Sequence, residues 1–244
     1  MDLGIQDKRN ITILRRNNAK TNKILPIILE NRKEGQFFYD LFCGGGNVVD
    51  KIDGNVLGND CNEFAVEALK LIRDGLDQLP KTNNDTNEQT YKEMKKSKHR
   101  GLKGYYGFSL SYGGKWFGGW RRDKEGKRDY IAEAYRNAVK QSNNIQNVVF
   151  TKFSYSNVKL KPNSIIYCDP PYKDTTNYNT SSFDYEVFYN WCIEKAREGH
   201  EVFISEYYMP ENNFKCLWSK EIVSSLTKNT GSKKGVEKLF KVRF

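Results

Sequence analysis

The chain has 244 residues, 38% of them hydrophobic and only six prolines, which suits one substantial core with room for a smaller inserted subdomain and excludes a disordered protein. No apolar run nears the roughly 18 residues that span a bilayer, and residues 1–16 hold no apolar signal core, so a cytoplasmic protein without a membrane partner is expected. Five scattered cysteines with no C-x-x-C pair, and only two histidines, argue against a disulfide frame and against any metal site, while the formal net charge of +10 points to a polyanionic partner.

Residues 17–33 predict a short helix with Ile24, Ile27 and Ile28 on one face, capped by Asn18 or Thr21 and with Lys20 at its start. Pro26 must fall in its first turn or kink it. Phe37 to Leu41 reads as a buried strand that runs into Phe42-Cys43-Gly44-Gly45-Gly46-Asn47, with a helix from about Val48. Glycines at a strand-to-helix corner let the chain turn tightly and let a nucleotide-like cofactor approach the backbone. The spacing here is F-x-G-x-G with Asp40 just upstream, not G-x-G-x-x-G, and an ordinary tight turn accounts for it equally well. A second strand, Asn55 to Gly58, ends in Asn59-Asp60-Cys61-Asn62. Asp60 is placed to accept hydrogen bonds from the ribose hydroxyls of an adenosine-containing cofactor. Alternatively, Asp60 or Asn62 caps the helix Glu63 to Asp74, whose Phe64, Ala65, Ala68, Leu71 and Ile72 form a buried stripe. Asn62 suits the cap and leaves Asp60 for the ribose.

Composition changes over residues 78–144, which read as an inserted subdomain. Lys81 to Gln89 is polar and predicts a loop. Lys92 to Arg128 carries twelve Lys/Arg against three acids, a local +9. Within it, Leu102 to Trp120 holds seven aromatics and six glycines in nineteen residues, the makings of a Gly-rich hairpin that stacks on bases and pairs with phosphates. Lys103, Lys115, Trp116, Arg121 and Arg122 are the candidate nucleic-acid contacts. The competing explanation is that the aromatics form a small core of their own. A helix from about Asp129 to Gln141, with Ala132, Tyr135 and Val139 on one face, returns the chain to the main domain.

Strands are expected at Asn147 to Phe150 and Ile165 to Cys168, separated by a polar turn with Ser154, Ser156 and Asn157. The second stops at Asp169-Pro170-Pro171-Tyr172, because two prolines cannot continue a ladder. This tetrapeptide is a common way to end a strand, and it also fits one chemical task. The exocyclic amino group of a nucleobase is a poor nucleophile whose lone pair is spread into the ring. Asp169 and the Pro170 carbonyl can accept its hydrogens and localise that pair, while the Tyr172 ring stacks on the base. A Ser/Thr/Asn-rich loop, Lys173 to Ser182, with Thr175, Thr176 and Tyr178, suits closure over a substrate. Helix Asp184 to Arg197 and strand Glu201 to Ser205 follow. An antiparallel pair, Lys220 to Leu226 and Glu237 to Phe244, closes the chain around a turn at Asn229 to Gly235 whose Gly231, Lys233 and Lys234 touch phosphate or solvent.

Taken together, the glycine turn, Asp60 and the Asp-Pro-Pro-Tyr corner resemble the D12 class of adenine-specific DNA methyltransferases, the Dam-like enzymes, over nearly the whole length. The resemblance implies an α/β, Rossmann-like seven-stranded methyltransferase sheet, mostly parallel with a C-terminal antiparallel hairpin. Residues 1–77 and 145–244 would form its catalytic domain and 78–144 its target-recognition region. It implies S-adenosylmethionine as methyl donor, double-stranded DNA as substrate, base flipping and adenine N6 as acceptor. Carried onto this sequence, the catalytic residues are Asp169, Pro170 and Tyr172. The cofactor contacts are Lys20, Asp40, Phe42, Gly44, Gly46, Asp60 and Asp169, and Tyr178 joins the nucleic-acid contacts. A monomer is expected, either solitary or with a restriction endonuclease partner. The sequence departs from the family in holding Arg16, Asn18 and Ala19 where an aromatic and Gly-Gly are usual, and in offering only Ser154, Ser156 or Asn157 where an acid commonly meets the cofactor's adenine. Cytosine N4 or RNA as acceptor, and a nucleic-acid-binding protein without activity, are the rival readings. C5-cytosine methylation is disfavoured because Cys168 precedes the motif inside the strand.

Overall fold

A computed structural model of the chain describes residues 18–123, 125–172, 183–223 and 234–244. The strands β1 (Phe38–Asp40), β2 (Val56–Asn59), β3 (Val149–Thr151), β4 (Ile165–Cys168), β5 (Glu201–Glu206), β6 (Phe214–Val223) and β7 (Lys234–Val242) join in one sheet of order β3-β2-β1-β4-β5-β7-β6. The first five run parallel, and β7 lies antiparallel between β5 and β6, as the sequence predicts. Helices α1 (Asn18–Leu29), α2 (Glu63–Asp74), α3 (Glu88–Met94), α4 (Arg100–Phe108), α5 (Tyr130–Asn144) and α6 (Tyr185–Arg197) surround it.

Every residue of β1 and β4 is buried, because both sheet faces are covered. Alternation divides their side chains between two cores. Phe38, Ile165 and Tyr167 join one with α2, α4 and α5. Tyr39, Leu41, Ile166 and Cys168 join the other, against Phe188 and Cys192 of α6. The strand order reverses between β1 and β4. A crevice must open there at the carboxyl ends, since successive crossovers leave the two strands on opposite sides.

Several local expectations are corrected. The stretch after the glycines forms only a 3₁₀ turn, Val49–Lys51, because Gly54 at φ +83° and the start of β2 leave no length for a helix. Of the predicted Gly-rich hairpin, residues 111–120 do form a bend closed by an antiparallel Ser111–Trp120 bridge, but residues 102–108 belong to α4. Its glycines serve close packing: a Cβ on Gly104 would lie 2.0 Å from the Phe64 carbonyl oxygen of α2, and one on Gly101 3.0 Å from that of Glu67. In α5 the buried face is Ile131, Ala134 and Ala138, one residue from the face predicted. Its cap is Asp129, whose side chain accepts from Ala132 N at 2.8 Å. The loop over residues 81–89 ends early, at Asn87, which caps α3. Strand β6 begins at Phe214 and carries an irregularity between Cys216 and Trp218, whereas only Lys220 onward was expected. Pro26 lies inside α1 beyond its first turn. Among the described residues, no helix is long and apolar enough to cross a membrane.

Candidate active site

Register brings the chemistry together. Asp40 ends β1 opposite Tyr167 of β4, and Leu41 N donates to the Tyr167 carbonyl at 3.0 Å, so the glycine turn leaves the sheet beside the Asp169 corner. The β4 ladder to β5 stops at Cys168, and the prolines that follow have no N–H to extend it. The Asp169 side chain, 38% exposed, thus emerges into the crevice. Lys20 of α1 reaches it there. Its Nζ lies 3.0 and 3.3 Å from the two carboxylate oxygens, donates to Tyr172 Oη at 2.5 Å, and sits 5.2 Å from the centre of the Tyr172 ring. The Tyr172 ring meets Tyr207 edge-on at 4.5 Å. Burial, then the Asp169 charge, pushes the Tyr172 hydroxyl well above the usual phenol range, so it stays protonated.

Asp40 is only 2% exposed and accepts from Phe42 N at 3.3 Å. Burial first, and then the Asp169 charge, pushes its carboxyl well above the ordinary carboxylate range. Gly44 and Gly46 adopt φ +46° and +71°, conformations open to glycine at little cost. Gly44 N donates to Asp60 Oδ2 at 3.0 Å, and Asn62 N donates to Asp60 Oδ1 at 2.8 Å. Asp60 therefore locks the glycine turn to the end of β2. Asn62 caps α2 as expected, accepting from Phe64 N and Ala65 N at 3.0 and 3.3 Å. A Cβ on Gly46 would meet Leu69 and Gln141 at 3.1 and 3.2 Å, so this glycine seats the turn on α2 and α5. The Phe42 ring points to the other core, stacked on Tyr155 at 5.6 Å and edge-on to Phe188 at 5.8 Å.

Three supporting residues escape sequence reasoning. Asn59, fully buried, donates to the carbonyls of Leu41 and Phe153 at 3.2 and 3.0 Å and accepts from Phe153 N and Thr151 Oγ1 at 3.0 and 2.9 Å. It ties the ends of β1, β2 and β3 into one edge. Gln141 donates to the Gly45 carbonyl at 2.7 Å, and its Oε1 finds no donor among the described residues. Tyr185 Oη donates to the Pro171 carbonyl at 3.0 Å, fixing the Asp-Pro-Pro-Tyr corner to the start of α6. The signal for Asn59 was its place in the Asn-Asp-Cys-Asn run. For Gln141 and Tyr185 no local signal exists.

Between α4 and α5, Trp116 stacks on Phe64 at 4.9 Å and meets Phe108 at 4.7 Å. Lys103 Nζ lies 5.1 Å over the Phe64 ring, and Lys115 is exposed. Arg121 reaches Glu133 at 3.5 Å, and Arg122 reaches Glu88 at 3.1 Å. Ser154 and Ser156 share a hydrogen bond of 3.1 Å in a 3₁₀ turn with Asn157. Thr175, Thr176, Tyr178, Asn229, Gly231 and Lys233 lie outside the described residues. Cys168 is fully buried in β4, and burial pushes its thiol up, so it is no nucleophile for the crevice.

Among solved structures, SMU.472, described as a methyltransferase and solved in complex with SAH, matches at 12% identity and TM-score 0.37, over 90% of this chain and 52% of its own. A Listeria monocytogenes protein described as a class I S-adenosylmethionine-dependent methyltransferase matches at 9% identity and TM-score 0.41, over 100% of this chain and 63% of its own. The chain thus spans between about half and two thirds of the length of these two, and its fold rests on the strand order above. In sequence the match is to a family model, that of the D12 class N6 adenine-specific DNA methyltransferases, which covers residues 20–230 and so takes in both the Lys20–Asp169 pair and the glycine turn; the chain belongs to that family.

Proposed function

We propose that this protein transfers a methyl group from S-adenosylmethionine to N6 of an adenine flipped out of double-stranded DNA. The observation that carries this reading is the meeting of Asp169, the Phe42–Gly46 turn and Asp60 in one crevice, where the strand order reverses. The residues suit the cofactor. Gly44 allows close approach to the backbone while Gly46 seats the turn on α2 and α5, the buried Asp60 carboxylate fixes the turn at the end of β2 where a ribose would lie, and Lys20 and Asp40 stand on the same sheet edge. When bound, S-adenosylmethionine supplies an electrophilic sulfonium methyl, and the sulfur keeps the C–S bonding pair as the methyl leaves.

The protein's part is positioning and electrostatics. Tyr172 offers its ring to the flipped base, offsetting part of an unstacking cost of a few kcal/mol. Asp169 and the Pro170 carbonyl accept the two amino hydrogens, which localises the nitrogen lone pair and aims it for in-line attack. The nitrogen forms the new N–C bond and then releases a proton to solvent. The Asp169 carboxylate has lone pairs for both donors, so Lys20 can hold it in place while it accepts from the amino group.

Incubation with methyl-labelled S-adenosylmethionine and a mixture of DNA and RNA, followed by hydrolysis to nucleosides, tests the reading. Label is expected in N6-methyladenine from DNA. Label confined to cytosine or to RNA, or no label at all, would reject it.

A further inference from the structure

The cations between residues 92 and 128 are not equivalent once the chain is folded. Arg128 grips Glu133 through two hydrogen bonds of 2.8 and 2.9 Å, Arg121 reaches the same carboxylate at 3.5 Å, and both guanidinium groups lie over the Tyr130 ring. Arg122 and Lys92 share Glu88 at 3.1 and 3.0 Å, and Lys127 meets Glu125 at 2.6 Å. A phosphate that approached any of these would also meet a carboxylate, well inside a Debye length of about 10 Å.

Lys95, Lys103 and Lys115 differ. Among the described residues none of the three pairs with a carboxylate; Lys96 and Lys98 also pair with none but lie over no ring, and Arg100 meets Glu63 at 3.1 Å. Lys95 and Lys103 lie instead over the two ends of one aromatic stack, and Lys115 precedes its central ring in the chain. Lys103 Nζ lies 5.1 Å over Phe64, Phe64 stacks on Trp116 at 4.9 Å, Trp116 meets Phe117 at 4.8 Å, and Lys95 Nζ lies 5.5 Å over Phe117. Lys115 adjoins Trp116 in sequence, and Tyr112 in the same loop is 70% exposed. Contact with a ring face holds an ammonium group in place without neutralising it. The stack also stands at the right place, because Phe64 lies in the first turn of α2, which begins just past the end of β2, beside Asp60 and on the same sheet edge as Asp169.

We propose that Lys95, Lys103 and Lys115, with Tyr112 beside them, form the surface that meets the phosphate backbone of duplex DNA, and that Trp116 and the arginines of the segment support this surface without touching DNA. This rests on the DNA-methylation reading and goes beyond it by choosing among the cations. Each lysine that neutralises a phosphate releases condensed counterions and adds about 0.9 to the slope of log K against log salt concentration.

The test is fluorescence anisotropy of a labelled random-sequence duplex over a salt series, with S-adenosylmethionine binding followed by calorimetry on the same preparations. The combined variant Lys95→Gln, Lys103→Gln, Lys115→Gln is expected to lose about 2.7 of the slope while keeping its affinity for S-adenosylmethionine. The pair Arg122→Gln, Arg128→Gln, both exposed positions, is expected to leave the slope within about 0.5 of wild type. The assignment is overturned if the lysine variant keeps the wild-type slope, or if the arginine pair takes most of it. Should the wild type bind no duplex and methylate no DNA, the functional reading falls, and this surface with it. Should it methylate DNA while the lysine variant binds as before, only the surface falls.

Discussion

The edge of the sheet at Asp40, Asp60 and Asp169 and the segment from α3 to α5 that borders it are built in different ways. At the edge, backbone groups do most of the holding: Gly44 N and Asn62 N on Asp60, Phe42 N on Asp40, and the β1–β4 register that seats the Asp169 corner, whose carboxylate is gripped in addition by Lys20. In that segment, placement comes from side chain on side chain, with rings stacked from Phe64 to Phe117 and glycines of α4 pressed on the backbone of α2. Backbone-held groups keep their place whatever neighbouring side chains do. Packed groups keep theirs only while the whole unit fits, so substitutions at the edge should act on chemistry and those in the α3–α5 segment on stability or binding.

The largest effect is expected at Asp169. On the proposed mechanism, Asp169→Ala removes an acceptor for the reacting nitrogen and should lower kcat about 10²–10³-fold, measured as labelled methyl incorporation at saturating DNA, with the thermal melt little changed. Retention of wild-type kcat would place the chemistry elsewhere.

In the α3–α5 segment, Gly104→Ala should destabilise. Alanine gains about 1 kcal/mol in helix propensity, but a Cβ 2.0 Å from the Phe64 oxygen forces α4 off α2. Overpacking costs of roughly 1–3 kcal/mol are usual, and contact with backbone puts this one at the top of that range or above. Urea unfolding reads the net loss, and an unchanged or higher midpoint would show that the two helices do not press together.

A smaller effect tests whether backbone positioning at the corner matters for rate. Tyr185→Phe deletes the hydrogen bond to the Pro171 carbonyl, worth about 0.5–1.5 kcal/mol. The expected result is a fall of a few-fold in kcat with KM for S-adenosylmethionine unchanged. A change in stability alone would make Tyr185 merely structural.

The subtlest test concerns Asp40. Burial raises its carboxyl pKa in the folded chain, so the native state holds that proton more tightly than the unfolded chain does. Its contribution to stability is complete below the ordinary carboxylate pKa of about 3.9 and is lost as pH rises through the folded value. Asp40→Asn cannot ionise and keeps an acceptor for Phe42 N. Its Tm should therefore gain on wild type as pH rises from acid toward neutral, and a gap constant with pH would rule this out.

What the amino-acid order determined by itself was local and backbone-coded: strand ends announced by Asp-Pro-Pro, turns announced by glycines, the Asn62 cap, the closing antiparallel pair, and the order of Asp60 and Asp169 along the chain, while the mostly parallel sheet came from the family resemblance. Proline's missing N–H, glycine's positive φ and the capping side chain act within a few residues, so they can be read in a line of text. Only the tertiary structure decided that Gly101 and Gly104 belong to a helix, that Lys20 lies on Asp169, that Asn59, Gln141 and Tyr185 brace the edge, and which cations between residues 92 and 128 have carboxylate partners. Each of these depends on an atom brought from a distant part of the chain, as far as 149 residues away for Lys20 and Asp169, and no local signal specifies that partner.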